Sequence, residues 1–112
     1  MERRSNPMMA GVPELLILRL LAEREMYGYE LARSVRVLTE DALSLGEGVL
    51  YPALHALEAR RLLRSRSARV DGRVRVYYTI TSRGKQRLTK LTTEWRAVTG
   101  TVDAVLGGAG HV

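Results

Sequence analysis

The sequence predicts a mainly α-helical domain carrying one small β-hairpin, and three observations lead there. Apolar residues recur at helical spacing in three stretches before residue 60, Asp71-Gly72 separates two short alternating runs, and from Leu88 to Val105 apolar residues repeat at intervals of three and four. The first and last are the periods of helices that bury a face. The second is hairpin chemistry, because Asp-Gly accepts the positive φ angles that a type I′ turn demands.

Residues 1–11, which include Arg3, Arg4, Asn6, Pro7 and Gly11, read as a loose arm. A helix follows from Pro13 to about Arg24, with Pro in a tolerated first-turn position and Glu14 near the positive end of the dipole. Leu15, Leu16, Ile17, Leu18, Leu20 and Leu21 leave this helix almost no polar face, so it is expected to be covered on two sides, by the domain core and by a second subunit. A second helix spans about Tyr29 to Leu38, with Leu31, Val35 and Leu38 on one face. Thr39 to Glu47 is a connection in which Leu43 and Leu45 alternate as a short strand does. Gly48 opens a third helix, with Pro52 placed in its first turn and Leu50, Leu54 and Leu57 as the buried stripe. Two helices joined by a turn and followed by a hairpin make a winged helix-turn-helix plan.

On the returning strand of the hairpin, Val74, Val76, Tyr78 and Ile80 alternate with Arg73, Arg75, Tyr77 and Thr79, so one face is apolar and the other basic. The register brings Arg64 and Arg66 of the outgoing strand onto the basic face. From an N-cap at Thr81 or Ser82 a last helix runs to about Leu106. Its Leu88, Leu91, Trp95, Val98, Val102 and Val105 form a heptad seam, the pattern of a helix that pairs with another. Gly100 within the seam costs roughly 1 kcal/mol relative to Ala and marks a bend or a close helix approach. Gly107, Gly108 and Gly110 end the helix and leave residues 108–112 as a flexible tail.

Composition narrows the function. A chain of 112 residues with 46% apolar content supports one domain with a modest core, which an oligomer interface would supplement. There is no cysteine, and His55 and His111 alone cannot make a metal cluster. The longest apolar stretch, Leu15 to Ala22, is broken by Arg19 and is far short of the roughly 20 residues that cross a bilayer, so the chain is expected to be cytoplasmic. No phosphate loop, nucleophile-base spacing or paired carboxylates suggest an enzyme, and no cofactor is expected.

Charge is the sharper clue. Residues Arg60 to Lys90 hold eleven bases and one acid, a net +10, while the rest of the chain, with seven bases and eleven acids, stands at −4; together they make the overall +6. A basic ribbon beside a helix-turn-helix suggests a wing that contacts nucleic acid. Arg64, Arg66, Arg69, Arg73 and Arg75 are the candidate phosphate contacts. Tyr51 and His55, one turn apart on the third helix, are placed to hydrogen-bond phosphates or base edges. Tyr27 can donate its hydroxyl to a phosphate where the second helix begins.

Three motifs, in order, resemble the PadR family of bacterial transcriptional regulators, in the small subfamily with a single C-terminal helix. They are Tyr27-Gly28-Tyr29-Glu30-Leu31, Gly48-Val49-Leu50-Tyr51-Pro52-Ala53-Leu54-His55-Ala56-Leu57-Glu58, and the wing from Gly72-Arg73-Val74-Arg75 through Val76-Tyr77-Tyr78-Thr79-Ile80-Thr81, followed by Gly84 and Trp95. The resemblance implies a homodimer that represses by binding a palindromic operator. Residues 1–80 would form the DNA-binding domain and its arm, and residues 81–107 the dimerisation helix. It adds Gly48 and Pro52 to the DNA-binding set and implies a dimer interface of Leu15, Leu18, Leu88, Leu91, Trp95, Val98, Val102 and Val105. Trp95, with Val98 and Thr99, would line a pocket for a small planar aromatic effector, or Trp95 would simply anchor the dimer core. Val49 and Val76 depart from the polar or basic residues usual at their places, so neither supplies the contact implied there. The competing reading is a winged-helix module whose third helix and arginines meet an acidic protein partner.

Overall fold

Gly11, in the left-handed region at φ 82°, turns the chain into α1 (Val12–Glu23) with Pro13 in the first turn. The computed structural model describes residues 10–107; the arm through residue 9 and the tail from residue 108 lie outside them. The chain then forms β1 (Met26–Tyr27), α2 (Gly28–Leu38), α3 (Glu47–Ala59), β2 (Leu63–Val70), β3 (Arg73–Ile80) and α4 (Ser82–Leu106). The mainly helical class, the helix-turn-helix pair, the hairpin and the long last helix are all as the sequence predicts. β1 is the addition: it pairs antiparallel with β3, Met26 opposite Tyr78 and Tyr27 opposite Tyr77, giving a three-stranded sheet in the order β1-β3-β2.

The core lies where α1, α2, α3 and the base of the hairpin meet, around Ile17, Leu31, Val35, Leu54, Leu57, Leu63 and Tyr78. One apolar side of α1 lies in this core and the other faces α4, whose Leu88 and Leu91 pack against the core, while Leu15 stays half-buried beside open clefts along α4. Leu18, expected at a subunit interface, is 0% exposed inside that core. Periodicity reports that a face is apolar and not which chain covers it. Leu43 and Leu45 do not form a strand; they pack as irregular chain, with Leu45 buried. α3 begins at Glu47, which makes Pro52 its sixth residue and places it beyond the first turn. Lacking an N–H, Pro52 leaves the Gly48 carbonyl without its intrahelical partner on the exposed side of the helix.

The end of α3 and the start of α4 together seat the hairpin. Arg61, at φ 64°, closes α3 with N–H groups of Arg61 and Leu62 donating to the carbonyls of Glu58 (2.9 Å) and Leu57 (3.0 Å). Thr81 is the cap of α4: its Oγ1 accepts from the Gly84 N–H at 3.0 Å and donates to the Arg61 carbonyl at 2.8 Å. Buried Gly84 lets the helix approach the wing base. A Cβ there would overlap the Leu62 carbonyl oxygen and stand 2.6 Å from Ile80 Cγ1. Gly84→Ala is therefore expected to destabilise the domain by about 1–3 kcal/mol, overriding the roughly 1 kcal/mol that Ala gains over Gly in a helix. A urea midpoint that rises in this variant would contradict the close packing. At Gly100, by contrast, a Cβ would meet nothing within 4 Å, so the subunit itself makes no close approach there.

α4 runs for 25 residues and carries the molecule to a length of 62 Å. Its first half packs on α1, and the second half projects. The seam residues there are open, with Trp95 at 45%, Val98 at 58% and Val102 at 48% exposure.

Candidate nucleic-acid interface

The hairpin register fixes which arginines share a face. Arg64 pairs with Thr79, Arg66 with Tyr77, Ala68 with Arg75 and Val70 with Arg73, so Arg64, Arg66, Arg73 and Arg75 lie on one side. Arg69 pairs with Val74 and lies on the other. There its guanidinium donates to the Gly72 carbonyl at 3.1 Å, bracing a turn whose Asp71 and Gly72 both have positive φ, 51° and 78°. The opposite face is buried only at its base: Tyr78 is in the core, while Val74 and Val76 are exposed because the hairpin tip extends past the helices.

Between the wing and the helix-turn-helix runs a groove of about 500 Å³, lined by Tyr27, Gly28, Tyr29, Tyr51, Arg73, Val74, Arg75 and Val76. It joins four of the residues expected at a DNA surface: Tyr27 from β1, just before α2, Tyr51 from α3, and Arg73 and Arg75 from β3. The exposed side of α3 continues this surface, with Gly48, Pro52 and His55 on one stripe opposite the buried Leu50, Leu54 and Leu57. The rings of Tyr51 and His55 lie 6.5 Å apart. Arg73 has no ion-pair partner among the described residues. Arg64 sits apart, in a shallow groove at the wing base with Arg61 and Arg83.

Gly28 sets the position of Tyr51. A Cβ on Gly28 would overlap the Tyr51 hydroxyl and stand 2.8 and 2.9 Å from its Cζ and Cε1, so the ring rests directly on the α2 backbone. At 37% exposure Tyr51 both packs against α2 and opens into the groove. Below it, burial foremost, then the nearby Glu58 and Tyr51, raise the pKa of the Tyr78 hydroxyl, which therefore stays protonated.

Two of the four arginines on the basic face already have partners. Arg66 donates to both carboxylate oxygens of Glu25, 2.7 Å from Nε to Oε2 and 2.7 Å from Nη2 to Oε1, and its guanidinium lies 4.9 Å from the Tyr77 ring centroid. The Arg66 hydrogen bonds hold the Glu25 carboxyl below the usual carboxylate range, so the pair is ionised at neutral pH. Arg75 lies 4.5 Å over the Tyr27 ring. Sequence reasoning missed Glu25 at this site altogether; Gly28, Tyr29 and Tyr77 lie within the quoted motifs, and of these only Tyr29 was read as a candidate phosphate donor, beside Tyr27.

A wider groove of about 860 Å³ follows the end of α1 and the outer face of α2. Four of its five charged side chains are paired, Arg19 with Glu23 at 2.6 Å and Arg24 with Glu30 at 3.6 Å, which leaves Arg33. The wing groove offers a polyanion two arginines, Arg73 and Arg75, with no ion-pair partner among the described residues and no acid in its lining. On α4, Trp95 and Val98 share a shallow cleft with Leu15 and Leu91, but Thr99 is outside it. The Thr99 hydroxyl instead donates to the Trp95 carbonyl at 3.0 Å. Exposed Val102 and Val105 continue the seam beyond the cleft.

Comparison with known proteins finds relatives that are transcriptional regulators. The family model described as the transcriptional regulator PadR-like family matches residues 17–90. A transcriptional regulator of Mycobacterium tuberculosis is 38% identical over 97 residues, covering 87% of this chain and 85% of that protein. An uncharacterized protein of Lysinibacillus sphaericus is 34% identical over 99 residues, covering 88% and 91%. Among solved structures, a transcriptional regulator from Clostridium thermocellum superposes with a TM-score of 0.83 at 28% identity, covering 88% of this chain and 96% of that one. A PadR family transcription regulator from Clostridium difficile gives 0.75 at 34% identity, covering 86% and 99%.

Proposed function

The chain belongs to the PadR-like family of transcriptional regulators, and on that premise we propose that it is a homodimeric repressor that binds a palindromic operator in the cytoplasm. Membership makes it a DNA-binding regulator rather than an enzyme. The observation that carries the finer reading is the groove that unites Tyr27, Tyr51, Arg73 and Arg75 beside the exposed stripe of α3. In this reading α3 enters the major groove, where Tyr51 and His55 reach base edges, and the wing follows the phosphates with Arg73 and Arg75. The open seam of Trp95, Val98, Val102 and Val105 pairs with its copy across a two-fold axis, setting the two α3 helices about one turn of DNA apart, roughly 34 Å. A planar aromatic effector would release the operator by stacking on Trp95 in the cleft against α1, which the second subunit would close.

If each subunit neutralises about four phosphates, the dimer's affinity falls with salt at a log-log slope near roughly −7. The test is an anisotropy titration at about 150 mM salt, comparing an inverted-repeat duplex selected from a random pool with a scrambled one. The expected preference is at least about 10³. Equal, weak binding to both would overturn the repressor reading and favour a protein partner for the basic face.

A further inference from the structure

An acidic side chain beside a DNA-binding surface ordinarily costs affinity, and an exposed ion pair ordinarily contributes little to stability. Glu25 departs from both expectations because its pair with Arg66 is one end of a connected row. Glu25 immediately precedes β1, and its pair with Arg66 puts its carboxylate on the face of the sheet that carries Arg66 and Tyr77. Tyr27 is opposite Tyr77 on β3, and Tyr77 is opposite Arg66 on β2, so the row crosses all three strands. The contacts follow that order: the two-pronged Glu25–Arg66 pair at 2.7 Å, Arg66 over Tyr77 at 4.9 Å, Tyr77 edge-on to Tyr27 at 5.4 Å, and Arg75 over Tyr27 at 4.5 Å. β1 is only two residues long and cannot hold the wing by backbone pairing alone. Tyr27 is itself anchored, its N–H donating to Glu30 Oε1 at 3.1 Å at the start of α2.

We propose that Glu25 and Arg66 are positioning residues for DNA recognition: their pair ties the wing to β1 and, through Tyr77 and Tyr27, holds Arg75 at the mouth of the groove. The proposal rests on reading that groove as the DNA interface. It assigns Arg66 a role as a strut rather than a phosphate contact, and it gives an acid a favourable role in binding a polyanion.

The sign of the effect is what distinguishes this role. Glu25→Gln removes a negative charge, so its affinity for a scrambled duplex should hold or rise, whereas its affinity for the selected duplex should fall about tenfold. Exchanging the charges, Glu25→Arg with Arg66→Glu, keeps net charge constant and should recover most of the loss. In the DNA-free protein, hydrogen exchange at the amides of Met26 and Tyr78, which are opposite each other on β1 and β3, should quicken several-fold in Glu25→Gln and slow again in the exchanged pair. Selective affinity that rises together with nonspecific affinity, or unchanged exchange at β3, would overturn the proposal. A wild-type protein that prefers no duplex would instead overturn the operator reading. The exchange measurement would then decide by itself whether the brace exists.

Discussion

Placing two aspartates in the open seam of α4, by Val98→Asp with Val102→Asp, should convert the protein to a folded monomer and lower operator affinity by about 10²- to 10⁴-fold. The expectation follows from where those side chains sit. Both are about half-exposed in the subunit and outside its core, with Val98 only at the edge of the shallow cleft against α1, so charging them should leave the fold intact. Across a two-fold axis, however, each carboxylate would be buried against apolar neighbours or its own copy, and an unpaired buried charge is not tolerated. A monomer meets one half-site. It then loses the effective concentration that makes the second half-site nearly free, which sets the expected factor. Light scattering and circular dichroism check the first claim and operator titration the second. A persistent dimer would move the interface elsewhere, and the exposed Tyr29, Val37 and Leu38 of α2 are the next apolar surface to test.

The second large effect is a contrast. Tyr51→Phe keeps the ring that rests on Gly28 and removes only the hydroxyl, so it should cost about 1 kcal/mol at each half-site, roughly thirtyfold for the dimer. That loss should appear on the selected duplex and be nearly absent on a scrambled one. Arg73→Ala should behave oppositely. It removes an unmatched charge at the wing tip, so binding should weaken on every sequence alike, and the salt slope should flatten by about 2, from two lost contacts per dimer. Parallel effects from both variants would dissolve the division between a helix that reads and a wing that holds.

Much of this was legible in the chain. Asp71-Gly72 between alternating runs determined the hairpin and its register, because turn chemistry and strand period are local properties. The spacing of Leu50, Leu54 and Leu57 oriented α3, and with it the exposure of Tyr51 and His55. The concentration of basic residues between Arg60 and Lys90 marked the wing. What the chain could not show are the contacts between residues distant along it. Arg66 meets Glu25 across 41 residues, Tyr27 meets Tyr77 through a strand too short to leave a pattern, and Tyr51 lies on Gly28 from a different helix.

Along the chain the four arginines of the basic face could be ranked only by distance from the turn, Arg73 and Arg75 ahead of Arg64 and Arg66. In the fold one is a strut, one is stacked, one stands at the wing base and one is unmatched at the tip. The apolar period of α1 likewise fitted either a partner or the subunit's own α4, and the fold buried Leu18 in its own core while leaving Val98 and Val102 open. Local sequence determined which faces are apolar, which turn is tight and where the charge lies, since each depends on neighbours within a few residues. Tertiary structure alone decided what covers each face and which charges are already matched, since burial and pairing depend on which distant segments the folded backbone brings together.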